Sequence, residues 1–301
     1  MNQLAEKVLE LKKEKDVAIM AHYYVPDEVQ EIADYVGDSY FLADMSTKLS
    51  QKNIMLCGVS FMLESAKILS PEKNVISPAP DVDCPMAHMA NVMDILKMRV
   101  QYPDLAVVCY VNSTAEIKSH SDVCVTSSNA VKIVKSLPNE HIYFIPDRNL
   151  GMFVAAQCPD KQFFYSEGHC YVHSELTEEM LLKAKAEHPN AKVLVHPESR
   201  PEVTALADYA GSTSGIIKKA GEYPETELII GTEAGVMYEL KKRYPHKKFY
   251  SAGKEQICKD MKKITLEKVY EALANGSNTI ELPEDIMNKS RKSLTRMLEL
   301  S

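Results

Sequence analysis

Short, continuous apolar runs alternate with helix-like segments along the whole chain. The clearest runs cover residues 17–22, 53–56, 106–112, 142–145, 193–196 and 228–231. A parallel strand is covered on both faces by the helices that carry the chain back, so it reads as an unbroken apolar run. Helical patterns follow the second run of each pair, at residues 61–69, 150–157 and 234–244. The pattern therefore predicts an α/β protein built from small parallel sheets.

The pairs of runs belong to three copies of one unit. Each copy carries the pattern Asp-x4-Ser/Thr after its first run, and each ends with a short further strand and a single cysteine. These cysteines are Cys84, Cys170 and Cys258, and they are spaced by 86 and 88 residues. A repeated sequence unit indicates a repeated fold. We therefore predict three three-layer αβα domains, related by a pseudo-threefold axis, with small parallel sheets around a central cavity.

The domain boundaries follow from the repeat and from the prolines at its joins. The units are expected at residues 1–102, 103–189 and 190–265, with Pro103 and Pro189 at the connections. Residues 266–301 read as an amphipathic helix, a short strand at residues 279–282 and a last helix. This C-terminal segment is expected to pack back on the first unit.

Polar side chains stand where the predicted strands end. His22, Asn112 and His196 follow the first strand of each unit, and Asp147 and Glu233 follow the second strand of the last two units. Ligands of open parallel sheets bind outside the carboxyl ends of the strands, so three related units would direct these groups at one shared site. A single histidine is often only a hydrogen-bonded structural residue. Repetition at equivalent positions favours a functional role.

Ser39, Ser127 and Thr213 each stand just before a helical pattern. The simple interpretation is an N-cap, which stabilises a helix by about 1 kcal/mol. The alternative is an anion site, because a helix N-terminus offers free N–H donors and a partial positive charge. Three such termini around one cavity would suit a substrate with several negative charges.

Composition, charge and hydropathy argue against a nucleic-acid partner and against a membrane span. The chain has 301 residues, a net charge of −7 and an isoelectric point near 5.8, which disfavours nucleic acid. No apolar run approaches the roughly 18 residues that a membrane span needs, and the first residues lack the apolar centre of a signal peptide. A cytoplasmic location is therefore expected.

The seven cysteines are expected to be reduced, since their odd number and this location argue against a disulfide framework. Four of them are interpreted as structural residues, three of them small buried hydrophobes: Cys57, Cys109, Cys124 and Cys158. The repeated three leave two options open. Zinc accepts three thiolates plus water or histidine, and a four-iron cluster can take three thiolates and keep one iron open. The wide spacing matches neither zinc knuckles nor simple ferredoxins, and it favours the cluster.

Across nearly its whole length the chain resembles the quinolinate synthases. The matching motifs are Ala-His-Tyr-Tyr at 21–24, Ile-Ala-Asp-Tyr-Val-Gly-Asp-Ser at 32–39, Tyr-Val-Asn-Ser-Thr at 110–114, Thr-Ser-Ser-Asn-Ala at 126–130, Pro-Asp-Arg-Asn-Leu-Gly at 146–151, Gly-His-Cys at 168–170, His-Pro-Glu at 196–198, Gly-Ser-Thr at 211–213 and Gly-Thr-Glu at 231–233. The fold of that family, three αβα domains around a central cavity, agrees with the repeat.

The resemblance implies condensation of iminoaspartate with dihydroxyacetone phosphate to quinolinate, the pyridine precursor of NAD, with loss of phosphate and water. It implies an oxygen-sensitive [4Fe-4S] cluster on Cys84, Cys170 and Cys258, whose open iron meets the substrate. Tyr24 and His22 would move protons during phosphate loss and isomerisation, and Glu198 during the later dehydrations. The residues implied to bind the dicarboxylate are His22, Ser39, Tyr110, Asn112, Ser127, His196, Glu198 and Thr213. Transient contact with the iminoaspartate-producing enzyme is a further expectation.

Two positions depart from the family pattern. Many members have Asn where this chain has Tyr23, which affects the contact beside Tyr24. Some members carry a C-x2-C thiol switch at the third ligand, whereas this chain reads Cys-Lys-Asp-Met at 258–261, so no local disulfide is expected.

The alternative function is that of a non-catalytic metal-binding or electron-carrier protein, in which the three thiols would have a purely structural role. It would have no need for a ring of His, Asn and Glu at the strand ends.

Overall fold

Within residues 3–276 and 278–301, which the computed structural model describes, twelve strands form three four-stranded parallel sheets. The first unit contains α1 (Gln3–Glu14), β1 (Val17–His22), α2 (Asp27–Ile32), β2 (Tyr35–Gly37), α3 (Ser39–Lys48), β3 (Asn53–Cys57), α4 (Ser60–Leu69), β4 (Asn74–Ile76), a 3-10 turn (Pro85–His88) and α5 (Val92–Gln101). The second contains β5 (Ala106–Tyr110), α6 (Ala115–Ser119), β6 (Val123–Val125), α7 (Ala130–Ser136), β7 (His141–Ile145), α8 (Arg148–Ala155), β8 (Gln162–Tyr165), α9 (Tyr171–Ser174) and α10 (Glu178–Glu187).

The third unit and the C-terminal segment complete the chain. Their elements are β9 (Lys192–Val195), α11 (Pro201–Ala205), β10 (Tyr209–Ala210), α12 (Thr213–Glu222), β11 (Glu227–Gly231), α13 (Val236–Arg243), β12 (Lys248–Ser251), a second 3-10 turn (Met261–Lys263), α14 (Leu266–Asn275) and α15 (Glu284–Leu300). Each sheet has its strands in the order second, first, third, fourth. The α/β class and the repeated sheets are thus confirmed, and the three helices predicted after the second runs lie within two residues of α4, α8 and α13.

The first strand of each sheet lies between two parallel neighbours, and helices cover both of its faces. Every residue of β1 and of β5 is buried for this reason. Their side chains are almost wholly apolar until the carboxyl end, where His22 closes β1 and Tyr110 closes β5. Polar residues therefore collect at that one edge of the sheet, which is where parallel sheets bind ligands.

The aspartate of the repeated Asp-x4-Ser/Thr pattern has a structural role at the other end of the sheet. Its carboxylate accepts the backbone N–H of a residue early in the first strand of the same unit. The pairs are Asp34 with Ile19 (2.8 Å), Asp122 with Val107 (2.7 Å) and Asp208 with Val193 (2.9 Å). The bond fixes the turn that leads into the short second strand, which gives the aspartate of the pattern a structural explanation.

The strand predicted at residues 279–282 is wrong. Thr279 makes a single antiparallel bridge with Ile76, and the N–H of Ile280 donates to the carbonyl of Val75 at 2.9 Å. Because β4 is only three residues long and Pro283 soon begins the next helix, no longer ladder forms. The segment lies along the edge of the first sheet without extending it.

The C-terminal helices pack on two units. Helix α14 lies against α1 and α2 of the first unit, and α15 lies across α4, α6 and β6. The hydroxyl of Ser293 on α15 donates to the carbonyl of Lys118 at 2.9 Å, so α15 reaches the second unit as well as the first. The largest apolar core runs through the first two units and this segment, while the third unit has two smaller cores. No helix in the described residues has the length and apolar character of a membrane span.

Candidate functional site

A cavity of about 790 Å³, counted with its opening to solvent, lies where the carboxyl ends of the three sheets meet. Every residue that the sequence assigned to catalysis, substrate binding or metal ligation lines this cavity: His22, Tyr24, Ser39, Cys84, Tyr110, Asn112, Ser127, Cys170, His196, Glu198, Thr213 and Cys258. Of the two strand-end acids expected at the shared site, Glu233 lines the cavity, whereas Asp147 is fully buried and does not. All of the lining residues that the structure describes are uncharged or acidic apart from the histidines. An anionic ligand would therefore have to be bound by hydroxyls, amides, imidazoles and helix termini.

Two histidines occupy equivalent positions in the first and third units and make the same backbone contact. The Nδ1 atom of His22 accepts the backbone N–H of Tyr24 at 3.2 Å, and that of His196 accepts the N–H of Glu198 at 3.3 Å. Nε2–H is therefore the donor in His22. In His196, Nδ1 also lies 3.3 Å from Oε2 of Glu198, and Nε2 lies 3.2 Å from the hydroxyl of Ser127. Burial lowers the pKa of each imidazole to about 3, so both are neutral donors.

Glu198 is the buried acid of the site. Its Oε2 atom lies 2.7 Å from Nδ1 of His173. Burial alone would raise its pKa, but His173, which contacts it, holds the pKa of this carboxyl to about 2, and it is ionised. Its other oxygen, Oε1, is buried and has no hydrogen-bond partner among the described residues. Oδ1 of Asn112 is likewise buried there without a partner. Because buried acceptors are almost always satisfied, these two atoms indicate a ligand that donates hydrogen bonds.

Tyr24 presents a buried hydroxyl held by two threonines of the third unit. Its Oη atom lies 2.6 Å from Oγ1 of Thr213 and 2.9 Å from Oγ1 of Thr232. Thr232 in turn lies 2.9 Å from Nε2 of His173. Burial raises the pKa of Tyr24 well above its usual value, so the phenol is protonated at neutral pH and is a proton donor in the resting site.

The three repeated cysteines each lie at the start of a short helical turn or a few residues before it. Cys84 precedes the turn at Pro85–His88, Cys170 precedes α9, and Cys258 lies three residues before the turn at Met261–Lys263. Backbone N–H groups beside each sulfur favour the thiolate. Burial nevertheless outweighs this effect, raising the pKa of Cys84 to about 12 and that of the other two above the usual range. A nearby cation would be needed to keep all three as thiolates.

A second set of metal donors overlaps the first. The sulfur of Cys170, a ring nitrogen of His173 and a carboxylate oxygen of Glu198 all lie within 4.8 Å of one another. Cysteine, histidine and glutamate are ordinary zinc ligands. This donor set keeps the zinc alternative open beside the three-thiol one.

The capping interpretation of the repeated hydroxyls is wrong in the structure. Asp38 caps α3 by accepting the N–H of Phe41, and Ser212 caps α12 by accepting the N–H of Gly215. Ser39 and Thr213 are instead the first residues of these helices and face the cavity. Because a neighbouring residue serves as the cap, neither hydroxyl is used at the helix terminus: that of Ser39 can meet a ligand directly, and that of Thr213 contacts Tyr24.

Tyr23 does not line the cavity. Its side chain is buried in the apolar core of the third unit, together with Leu194 and Ile216. The position that departs from the family pattern therefore contributes to packing between the first and third units, and Tyr24 alone presents its ring to the site.

Sequence reasoning missed His173 and Thr232. Both lie behind the cavity wall, and they connect Tyr24 to Glu198 through hydrogen bonds of 2.9 Å, 2.9 Å and 2.7 Å. Two signals were available: His173 follows Cys170 at a spacing common among metal ligands, and Thr232 directly precedes the strand-end acid Glu233.

The buried histidines predict acid sensitivity of the metal-free protein. His22 and His196 have a usual pKa of 6.5 and a folded-state pKa of about 3, so below pH 6.5 the unfolded chain binds protons that the folded chain does not. The contribution of these histidines to the free energy of unfolding is therefore complete above pH 6.5 and should fall by about 1.4 kcal/mol per pH unit for each histidine as the pH drops towards 3. Glu198 adds to the loss below pH 4.5, its usual value.

Urea unfolding between pH 7 and pH 4 measures this effect. His196→Asn should reduce the slope by about half, and the exposed His246→Gln should leave it unchanged. Equal slopes for the wild type and His196→Asn would show that His196 is not a neutral buried group.

Three parallel sheets that direct thiols, neutral imidazoles, a phenol and an ionised carboxylate into one cavity define a three-unit α/β enzyme built for proton transfer. The family model described as "Quinolinate synthetase A protein" matches residues 6–299. The chain belongs to this family.

Its relatives match along the whole length. A protein named "Quinolinate synthase" from Caldicellulosiruptor bescii is 51% identical over 297 residues, which cover 99% of this chain and 98% of the relative. The protein of the same name from Fusobacterium nucleatum subsp. nucleatum is 50% identical over 298 residues, 99% of each chain. That from Clostridioides difficile is 47% identical over 298 residues, 99% of this chain and 98% of the relative.

Proposed function

We propose that this enzyme condenses iminoaspartate with dihydroxyacetone phosphate to quinolinate, with loss of phosphate and water, in the synthesis of NAD in the cytoplasm. One observation supports this above the others: the three repeated cysteines line the same cavity as Tyr24 and Glu198. A dehydrating condensation needs a Lewis acid together with side chains that donate and accept protons.

We further propose that Cys84, Cys170 and Cys258 bind a [4Fe-4S] cluster. The donor set fits such a group, because backbone N–H groups beside each thiol favour the thiolate and each thiol is too buried to ionise without a cation beside it. When bound by three protein thiolates, the cluster supplies an open iron that acts as a Lewis acid towards a substrate oxygen.

Substrate binding is assigned to neutral donors. The carboxylates would be bound by Ser39, Ser127 and Thr213 near helix N-termini, together with Nε2–H of His22 and His196. Tyr110 and Asn112 line the cavity on the side of the second unit. The unpaired oxygens of Asn112 and Glu198 would accept hydrogen bonds from the nitrogen and hydroxyl groups of the substrates.

Proton transfer is divided between two residues with opposite resting charge. Tyr24 is protonated and can donate a proton as phosphate leaves, with His22 beside it at a ring separation of 4.4 Å. Glu198 is ionised and can accept protons in the later dehydrations. Groups whose environments push their pKa values apart are suited to separate acid and base roles.

The competing assignment is a single zinc ion bound by Cys170, His173 and Glu198. The short distances among these three donors support it. Iron, acid-labile sulfide and zinc measured in anaerobically purified protein separate the two. We expect about four iron and four sulfide per chain, and quinolinate from the two substrates under the same conditions. One zinc per chain without sulfide would refute the cluster. A full cluster without quinolinate formation would refute the proposed reaction.

A further inference from the structure

In every unit a carboxylate accepts the backbone N–H of the cavity cysteine. The bonds are Asp83 Oδ1 with Cys84 N at 2.7 Å, Asp147 Oδ2 with Cys170 N at 3.0 Å, and Glu233 Oε1 with Cys258 N at 3.1 Å. The carboxylates come from different places, because Asp147 and Glu233 follow the third strand of their sheets whereas Asp83 directly precedes its cysteine. All three units therefore have a hydrogen bond from the cysteine N–H to a carboxylate, but the residue that supplies the carboxylate in the first unit stands at a different place in the chain.

Asp147 connects the Cys170 loop to the start of a helix. It is fully buried, and its other oxygen, Oδ1, caps α8 by accepting the N–H of Leu150 at 2.7 Å. The two backbone segments are in close contact, since a Cβ atom added to Gly168 would lie 2.4 Å from the carbonyl oxygen of Pro146. Asp147 thus fixes the backbone of Cys170 against the rigid end of the second sheet.

Glu233 does the same in the third unit and also contacts the first. Its Oε2 atom accepts the N–H of Gly235 at 2.7 Å, and its Oε1 atom lies 3.0 Å from Nζ of Lys262. Lys262 donates to the carbonyl oxygen of Tyr24 at 2.7 Å. One chain of contacts therefore links the backbone of Cys258 to that of Tyr24.

We propose that Asp147 and Glu233 are positioning residues that set the backbone of the Cys170 and Cys258 loops so that their sulfurs bind and retain the metal cluster. This inference rests on the proposed function, which places a cluster on these thiols. Loops held in place before the metal arrives lose less conformational entropy on binding it. Groups that orient metal ligands typically contribute 10- to 100-fold to metal affinity.

The test compares Asp147→Asn with a matched control in the same unit. Asparagine at position 147 keeps Oδ1 for α8 but turns an NH₂ donor towards the N–H of Cys170. Asp122→Asn makes the same chemical change at the opposite end of β5, where the carboxylate also accepts a backbone N–H. Each protein is reconstituted anaerobically, and the rate of iron transfer to a chelator is measured together with the thermal unfolding of the metal-free form.

We expect iron loss from Asp147→Asn to be about 10- to 100-fold faster than from the wild type, and from Asp122→Asn to equal the wild type. Wild-type retention by Asp147→Asn would overturn the inference and leave the proposed function intact. A wild-type chain that takes up no iron and sulfide would instead refute the proposed function. If Asp147→Asn does not fold, Glu233→Gln decides by the same criteria, and failure of both to fold would show that the carboxylates support the fold and not the cluster.

Discussion

Replacing Cys170 with alanine is expected to abolish cluster assembly and quinolinate formation together. The sulfur of Cys170 lies 3.3 Å from Nδ1 of His173, and Asp147 accepts its backbone N–H. Without one of three thiolates the cluster loses a protein ligand, and the Lewis acid that it supplies is lost with it. Since Lewis-acid stabilisation amounts to several kcal/mol, activity should fall by at least about 1,000-fold.

Iron and sulfide content, quinolinate production and circular dichroism of the anaerobic protein check this prediction. The matched control is Cys158→Ala, which removes a fully buried thiol of the same unit outside the cavity. The control should keep its cluster and its activity with a modest loss of stability, as should Cys109→Ala in β5. Both the Cys170→Ala variant and the controls should keep the α/β fold. An active Cys170→Ala protein would contradict the assignment of this ligand.

The second large effect is expected from Tyr24→Phe. This change removes the hydroxyl that lies between Thr213 and Thr232 but leaves the ring and its packing in place. The three thiols are untouched, so iron and sulfide content should equal those of the wild type. Turnover should fall by about 10²- to 10⁴-fold, the usual contribution of a general acid or base.

The iron and sulfide content and the unfolding temperature of Tyr24→Phe distinguish a catalytic role of the hydroxyl from a structural one. Loss of the hydroxyl leaves two threonine hydroxyls with one partner fewer, which should lower stability by about 1 kcal/mol. Tyr23→Phe is the matched control, because Tyr23 is buried in the core of the third unit and does not reach the cavity. Unchanged quinolinate formation by Tyr24→Phe would remove Tyr24 from the catalytic residues.

The repeat could be recognised from sequence because its signals are local. An apolar run of five or six residues predicts a buried strand wherever it occurs, and the single cysteine at the end of each unit needs no partner to be noticed. The Asp-x4-Ser/Thr spacing could also be recognised from the sequence, but the structural roles of its side chains could not. Whether Ser39 or Asp38 caps α3 depends on backbone angles at one turn, and the structure gave the cap to Asp38. The strand predicted at residues 279–282 failed because its partner, β4, offers only three residues.

The amino-acid sequence by itself determined the α/β class, the threefold repetition and the set of strand-end residues, since each of these follows from short-range periodicity and from the rule that parallel sheets bind ligands at one edge. Only the tertiary structure decided which of these groups touch. Tyr24 and Thr232 are 208 positions apart, and the bond between them depends on how the first and third units pack. The same holds for the low pKa of His22 and His196, because burial is a property of the assembled units and not of any segment.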